Sequence, residues 1–258
     1  MSSGEPRPHA EMLLLAVEVV RLLAPYCTRI AVGGSLRRGK EMVGDIEIIC
    51  QPDEQALPTG GRKGFIQVKQ NAVNWICDRL REDEIFTPRL NPQGNPESWA
   101  DRHKRAYYKG AKLDLLIVLP DRSWGYTMLL RTGPGDANSV LVTKMGVRNH
   151  DGNLGILPAA YKFFEGELWL GDLAPVPTPE EKDVFAALDL PYIPPPLRNV
   201  EMYQRWAARR SKRELPTPSA EQPRLMTLKE THFGDDIWIN GQPRFLNMQA
   251  MVKELIAS

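Results

Sequence analysis

The sequence has little cysteine and little histidine, and it arranges neither for metal binding. Its three cysteines, Cys27, Cys50 and Cys77, form no Cys-x-x-Cys pair, and its four histidines are scattered at positions 9, 103, 150 and 232. A disulfide framework and a zinc cage are therefore not expected, and any metal must be held by oxygen. Long hydrophobic runs are lacking too: no stretch of about 18 apolar residues could cross a bilayer. The apolar segment near the N-terminus has neither a basic n-region before it nor a small-residue cleavage site after it, so a cytosolic, membrane-free protein is expected. Charge of one sign is missing as well. With 33 Lys and Arg against 32 Asp and Glu, the net charge of +1 gives no global attraction to nucleic acid, which would need a local basic surface. What is present is 42% hydrophobic content over 258 residues, enough for one substantial core or two modest ones.

Strong helix formers without a breaker run from Glu11 to Ala24, with Met12, Leu15, Ala16, Val19, Leu22 and Leu23 on one face, until Pro25 stops them. "RIAVGG" and "DIEIIC" read as two short strands flanking a glycine-rich turn. Gln51 to Gly64 reads as a loop by its Pro and Gly content, and Ile66 to Arg81 as an amphipathic helix. Lys109-Gly110 has the composition of a hairpin turn leading into a strand over Lys112 to Leu119. Asp136 to Met145 is an expected helix, "GELWLGDLAPVP" an expected strand and turn, and "TPEEKDVFAALDL" a helix with Thr178 as N-cap, Pro179 in its first position, and Val184, Phe185 and Leu188 facing the core. A basic helix over Val200 to Arg213, a linker, and a hairpin at Asn240-Gly241 complete the pattern. Strands alternating with helices predict a mixed α/β (α+β) fold, a mixed sheet flanked by helices.

The chemistry concentrates in "VGGSLRRGKEMVGDIEII". Side chains two apart on a strand point the same way, so Asp45, Glu47 and Ile49 share one face, and Ile46, Ile48 and Cys50 the other. Two adjacent carboxylates on a partly buried strand repel and lose hydration, which is costly unless a cation neutralises them. Mg²⁺ suits such a set, since it takes one or two protein carboxylates and completes its shell with water and phosphate oxygen. The preceding turn supplies the phosphate half. Gly33, Gly34 and Gly39 permit close backbone approach, Ser35 offers a hydroxyl, and Arg37 and Arg38 offer guanidinium forks. A third carboxylate, Asp114, stands in the apolar strand "KLDLLIV" with Leu116 and Val118 on its face. Taken singly these pieces are ordinary: Gly-Gly-Ser with arginines is commonly a surface turn, and Asp-x-Glu a solvated strand face. The order of all three is what points to a site.

"GSLRRGKEMVGDIE" resembles the signature of the nucleotidyltransferase superfamily and, more narrowly, of the polymerase beta-like family X DNA polymerases, which pair Gly-Ser, two arginines and Gly with a following Gly-Asp-x-Asp. "LDLLIV" resembles the strand carrying that family's third catalytic aspartate, "LLRTGPGDAN" its aromatic-Thr-Gly-Ser segment with a downstream Asn, and "PTPEEKDVFAALDLPYIPPPLRN" its closing thumb segment. The resemblance covers roughly residues 9 to 199. It implies a nucleotidyltransferase palm over residues 1–125, a small α/β thumb over 126–199 and a C-terminal extension over 200–258. By position, Asp45, Glu47 and Asp114 would be the catalytic metal ligands, with Mg²⁺ or Mn²⁺ bound. Gly34, Ser35, Arg38 and Gly44 would bind the triphosphate, and Thr132, Gly133 and Asn138 would lie near the sugar and base. Primer-template or gapped DNA and nucleoside triphosphates are the implied partners, the protein is expected as a monomer, and gap filling in DNA repair is the implied activity.

Departures from the family shape further expectations. Glu47 replaces the usual Asp, which predicts low activity or a Mn²⁺ preference. Leu130 and Arg131 replace the aromatic pair that excludes ribose, Pro134-Gly135 follows the Gly in place of Ser, and Val142 stands where a template-contacting arginine occurs. Neither the family's lyase domain nor its fingers is expected in this sequence, so the resemblance implies a minimal palm-and-thumb enzyme. Arg205, Arg209 and Arg210, interleaved with Tyr203 and Trp206, could track a phosphate backbone, or form a solvated basic helix with Met202 and Trp206 in the thumb core. His103, Lys104 and Arg105 read as a surface turn, and Arg37 as a phosphate ligand or a surface residue. Two other functions fit the same residues: nucleotide transfer to RNA, protein or a small molecule, and a nucleic-acid-binding relative weakened in catalysis by Glu47.

Overall fold

A computed structural model describes residues 5–59, 66–118, 123–164 and 166–210, and a small ribbon in which Trp238–Ile239 pairs with Gln242–Pro243. That ribbon flanks the expected Asn240-Gly241 turn, and the remainder of the tail lies outside the described residues. The fold is mixed α/β, with two cores.

In the first half, β1 (Arg7–Pro8) leads into α1 (His9–Leu23), which is followed by β2 (Cys27–Val32), the short helix α2 (Gly34–Arg37), β3 (Met42–Val43) and β4 (Ile46–Pro52). β5 (Glu54–Thr59) and β6 (Ile66–Asn71) form a separate antiparallel ribbon before α3 (Ala72–Glu82). β7 (Thr87–Pro88), β8 (Trp99–Ala100), β9 (His103–Tyr108) and β10 (Ala111–Ile117) complete a six-stranded sheet ordered β2-β4-β10-β9-β7, with β8 beside β9. Only β4 and β10 run parallel; the other pairs are antiparallel. Lys109 and Gly110 sit at φ 48° and 77°, the left-handed pair that a two-residue hairpin turn requires. The two-fold period of the strands divides the sheet into two faces. Ile46, Ile48, Cys50, Leu113 and Leu115 bury under α1 and α3, and Ile49, Leu116 and Val118 pack with Trp124 and Met128 on the opposite side.

Within the segment expected as a loop, Glu54–Thr59 is a strand, and the expected helix over 66–81 begins only at Ala72. Gln67, Val68, Lys69 and Gln70 pair with 55–58, and Pro58 is tolerated because this ribbon has only two strands. Asn71 then caps α3 by accepting a 3.0 Å hydrogen bond from the Asn74 amide.

The second half is built from α4 (Trp124–Thr132), α5 (Gly135–Val142), the antiparallel meander β11 (Tyr161–Phe164), β12 (Glu167–Leu170) and β13 (Ala174–Val176), then α6 (Glu181–Ala187) and α7 (Val200–Arg210). α4 belongs to both cores: Trp124 and Met128 pack on the sheet, while Leu129 joins Val184, Phe185, Leu188 and Tyr203. α6 starts two residues later than expected. Its N-cap is Glu180, which exchanges reciprocal bonds with Asp183 as a capping box, while the Thr178 carbonyl accepts a 2.8 Å hydrogen bond from Gly125 N. A Cβ at Gly125 would fall 2.1 Å from the Glu180 carbonyl oxygen, so only glycine lets α4 dock here. On α7, Tyr203 and Ala207 are buried in this second core, with Met202 and Trp206 packed against it.

Candidate active site

The glycine-rich turn leaves β2 at Gly33, whose amide donates to the Glu47 carbonyl at 2.8 Å, and closes at Gly39 with φ 70°. Gly34 has φ 64°, and a Cβ on it would lie 2.0 Å from Glu47 Oε2. A side chain there would evict the carboxylate, so the glycine and the glutamate form one local design. Leu36 anchors α2 in the core. Ser35 Oγ and Arg38 Nε are buried without a hydrogen-bond partner among the described residues, so two donors stand ready beside the carboxylate face. Arg38 also donates to the Thr132 carbonyl at 2.5 Å. Burial lowers its pKa, while Glu47, Asp45 and Asp136 pull it the other way, which places the guanidinium within the field of the acidic pair. Gly44 is exposed with open space about it.

Asp45 immediately precedes β4, Glu47 lies within it, and Asp114 is in register with Glu47 across the parallel β4–β10 pair. All three therefore belong to the same sheet face, and their ionisation is coupled. Burial and the neighbouring Asp114 raise Asp45, and burial and Asp45 push Glu47 up to about 7. Asp114 differs. Burial works to raise it, but His103, Arg105 and Arg89 outweigh that and hold it below the usual carboxylate range. Arg89 donates to it at 2.9 Å, Arg105 Nε approaches to 3.5 Å and His103 Nε2 to 3.8 Å.

These donors suit a hard divalent cation in kind, and Asp45 and Glu47 carry charge that nearby cations offset only in part. Asp114 has its charge taken up by arginine. Among the described residues no three His, Cys, Asp or Glu side chains stand close enough together to hold a metal ion as a set.

Thr132 is fully buried, its hydroxyl accepting from Arg37 Nη1 at 2.9 Å. Asn138 Nδ2 donates to the carbonyls of Leu130 at 2.6 Å and Gly133 at 3.3 Å, stapling the segment that follows α4. Its Oδ1 is buried without a partner, 2.5 Å from where a Gly133 Cβ would be. Arg205 and Arg209 are exposed on α7, Arg209 stacked 4.6 Å over the Trp206 ring; the side chain of Arg210 lies outside the described residues.

Arg37 is neither a surface residue nor a free phosphate ligand. It is buried in an ion pair with Glu181 of α6, and Arg198 reaches the same carboxylate at 2.6 Å. His103, Lys104 and Arg105 form a strand, not a surface turn, and Lys104 is buried over Trp99. Sequence reasoning missed Arg89, Glu97, Glu181 and Arg198. Arg105 was within reach of it: a two-residue turn at Lys109-Gly110 pairs Tyr108 with Ala111, and counting outward sets Arg105 opposite Asp114.

The family model for the DNA polymerase beta thumb matches residues 158–199, within the second core. Over 172 residues the chain is 28% identical to DNA polymerase lambda of Rattus norvegicus, an alignment covering 64% of this chain and 28% of that relative. The chain thus spans little more than a quarter of the relative's length. Together with the mixed sheet and the α/β thumb, these matches support a family X polymerase-like protein. No helix among the described residues is long and apolar enough to cross a membrane.

Proposed function

We propose that the protein is a metal-dependent nucleotidyltransferase that adds deoxynucleoside monophosphates from dNTPs to a DNA 3′-hydroxyl, as a family X-type polymerase in gap filling. The observation that carries this reading is the placement of Asp45, Glu47 and Asp114 on one face of adjacent strands, beside a glycine turn with free buried donors. Asp45, Glu47 and Asp114 would hold the divalent cations, Mg²⁺ or Mn²⁺, whose chemistry here is Lewis-acid neutralisation of phosphate charge. Ser35 and Arg38, with the backbone of Gly34 and Gly44, would bind the triphosphate and keep the departing pyrophosphate in place. The Thr132–Gly133 segment, fixed by Asn138, would face the sugar. In the reaction, the 3′-hydroxyl gives up its proton to water, its oxygen bonds to the α-phosphorus, the bond from that phosphorus to the bridging oxygen breaks, and pyrophosphate leaves. The exposed arginines of α7 supply a basic surface for the strand.

The test is extension of labelled primers in gapped, single-stranded and blunt DNA, with deoxy- and ribonucleotides, under Mg²⁺ and Mn²⁺. The proposal expects metal-dependent dNTP addition at the gap. Label appearing only on RNA, protein or small molecules would assign the same site to another acceptor.

A further inference from the structure

Asp114 sits inside a cationic frame that the proposed chemistry does not explain. Arg89 bridges two carboxylates, Asp114 at 2.9 Å and Glu97 at 2.8 Å, and Arg105 reaches the same two at 3.5 and 3.4 Å. The backbone ties the frame together: Arg89 N donates to the Arg105 carbonyl at 3.0 Å, and Glu97 N to the Arg89 carbonyl at 2.7 Å. These bonds hold the two arginines side by side, and both reach the buried Asp114 carboxylate. The two guanidiniums balance the two carboxylates they bridge. If Asp114 turned toward Asp45 and Glu47, two guanidiniums would face Glu97 alone, one positive charge in excess, in a place where Arg105 Nε and His103 Nε2 are already buried without a hydrogen-bond partner. One further anion restores the balance, and the planar guanidinium fork suits a phosphodiester.

We propose that Arg89 and Arg105 are positioning residues that withhold Asp114 from divalent cations until a phosphodiester of the acceptor strand takes their charge. The inference rests on the metal-ligand role proposed for Asp114. It makes strand and metal binding mutually reinforcing, because two ligands that favour the same rotamer state each raise the other's affinity by the same factor.

The test measures free Mn²⁺ by electron paramagnetic resonance without nucleotide, so no turnover occurs. Without DNA, the Arg89→Met/Arg105→Met protein should bind Mn²⁺ about tenfold tighter than wild type, whereas Arg89→Lys should stay near wild type. If the double variant melts like an unfolded chain, Arg89→Met alone gives the same comparison with a smaller gain. A one-nucleotide-gapped duplex should tighten Mn²⁺ on the wild type and not on the double variant. The same duplex with a neutral methylphosphonate at the last primer linkage should not tighten it. Unchanged Mn²⁺ affinity in the arginine variants, or equal responses to the two duplexes, overturns the inference. Primer extension by the wild type reports separately on the polymerase reading: Mn²⁺ coupling without transfer would sink that reading alone, and transfer without coupling would sink this inference alone.

Discussion

Arg37 and Glu181 meet in a two-pronged ion pair, Nη1 to Oε1 and Nη2 to Oε2 both at 3.0 Å, joining the helix after the glycine turn to the first turn of α6. Both side chains are more than nine-tenths buried, and Arg198, fully buried, holds the same carboxylate. The pair adds charge to the apolar packing of α4 in tying the expected palm to the expected thumb.

Removing one partner leaves a buried charge uncompensated. Glu181→Ala is expected to cost about 3–5 kcal/mol, read as a lower urea midpoint. Burial acts to raise Glu181, but Arg198 and Arg37 hold its pKa below the ordinary 4.5. Its stabilisation is therefore complete above the unfolded value and lost as pH falls through the lower folded one. Acid titrations should show the wild-type advantage over Glu181→Ala shrinking below that point.

Glu47 has the opposite sign. Its folded pKa is pushed up to about 7 from 4.5, so between those values the folded state binds the proton that the unfolded state releases. Stability in metal-free buffer should decline as pH rises through this window. Glu47→Gln should flatten that slope and stabilise the protein at pH 8 by about 1–3 kcal/mol. A direct carboxyl titration by nuclear magnetic resonance should place Glu47 near neutrality and show it displaced downward by Mg²⁺. A Glu47 titrating at its ordinary value would contradict this.

Gly34→Ala meets two obstacles at once, a φ of 64° and the Glu47 carboxylate 2.0 Å from the new methyl. It should destabilise the protein by about 1–3 kcal/mol and remove transfer activity through displacement of Glu47. Gly39→Ala shares the positive φ but has open space around it, so it should lose stability while keeping activity per folded molecule. Equal catalytic loss in both would argue that backbone strain, not the carboxylate, is responsible.

Arg38→Ala should weaken nucleoside triphosphate binding by about 1.5–3 kcal/mol if the side chain makes a charge-assisted bond to phosphate. Isothermal titration with a non-hydrolysable dNTP and Ca²⁺ gives the affinity without turnover. An unchanged affinity would reassign Arg38 to holding the Thr132 carbonyl.

The strands beside and bearing Asp45, Glu47 and Asp114 were legible because each is a short run of apolar, β-favouring residues, and the Lys109-Gly110 turn because its composition suits left-handed backbone. The β5–β6 ribbon was not, because Pro and Gly signal a loop wherever no partner strand can be foreseen. Helix α6 was read with its core face right and its start wrong: Thr178 is a favoured cap residue, but its carbonyl is engaged by Gly125 N, and Glu180 caps the helix through its box with Asp183. The ion pairs of Arg37 with Glu181 and of Arg89 with Asp114 escaped because the partners lie far apart in sequence. Arg37 finds Glu181 only once α4 has folded the second core back onto the first, and Arg89 finds Asp114 across two strands.

The most direct measurement of the central claim is single-turnover incorporation of a labelled dNTP into a one-nucleotide gap by wild type and Asp114→Asn, with Mg²⁺ or Mn²⁺ and with chelator. We expect the wild type to extend the primer only with the divalent ion, and the variant, melting as the wild type does, to leave it unextended. Incorporation by Asp114→Asn at the wild-type rate, or by the wild type in chelator, would contradict it.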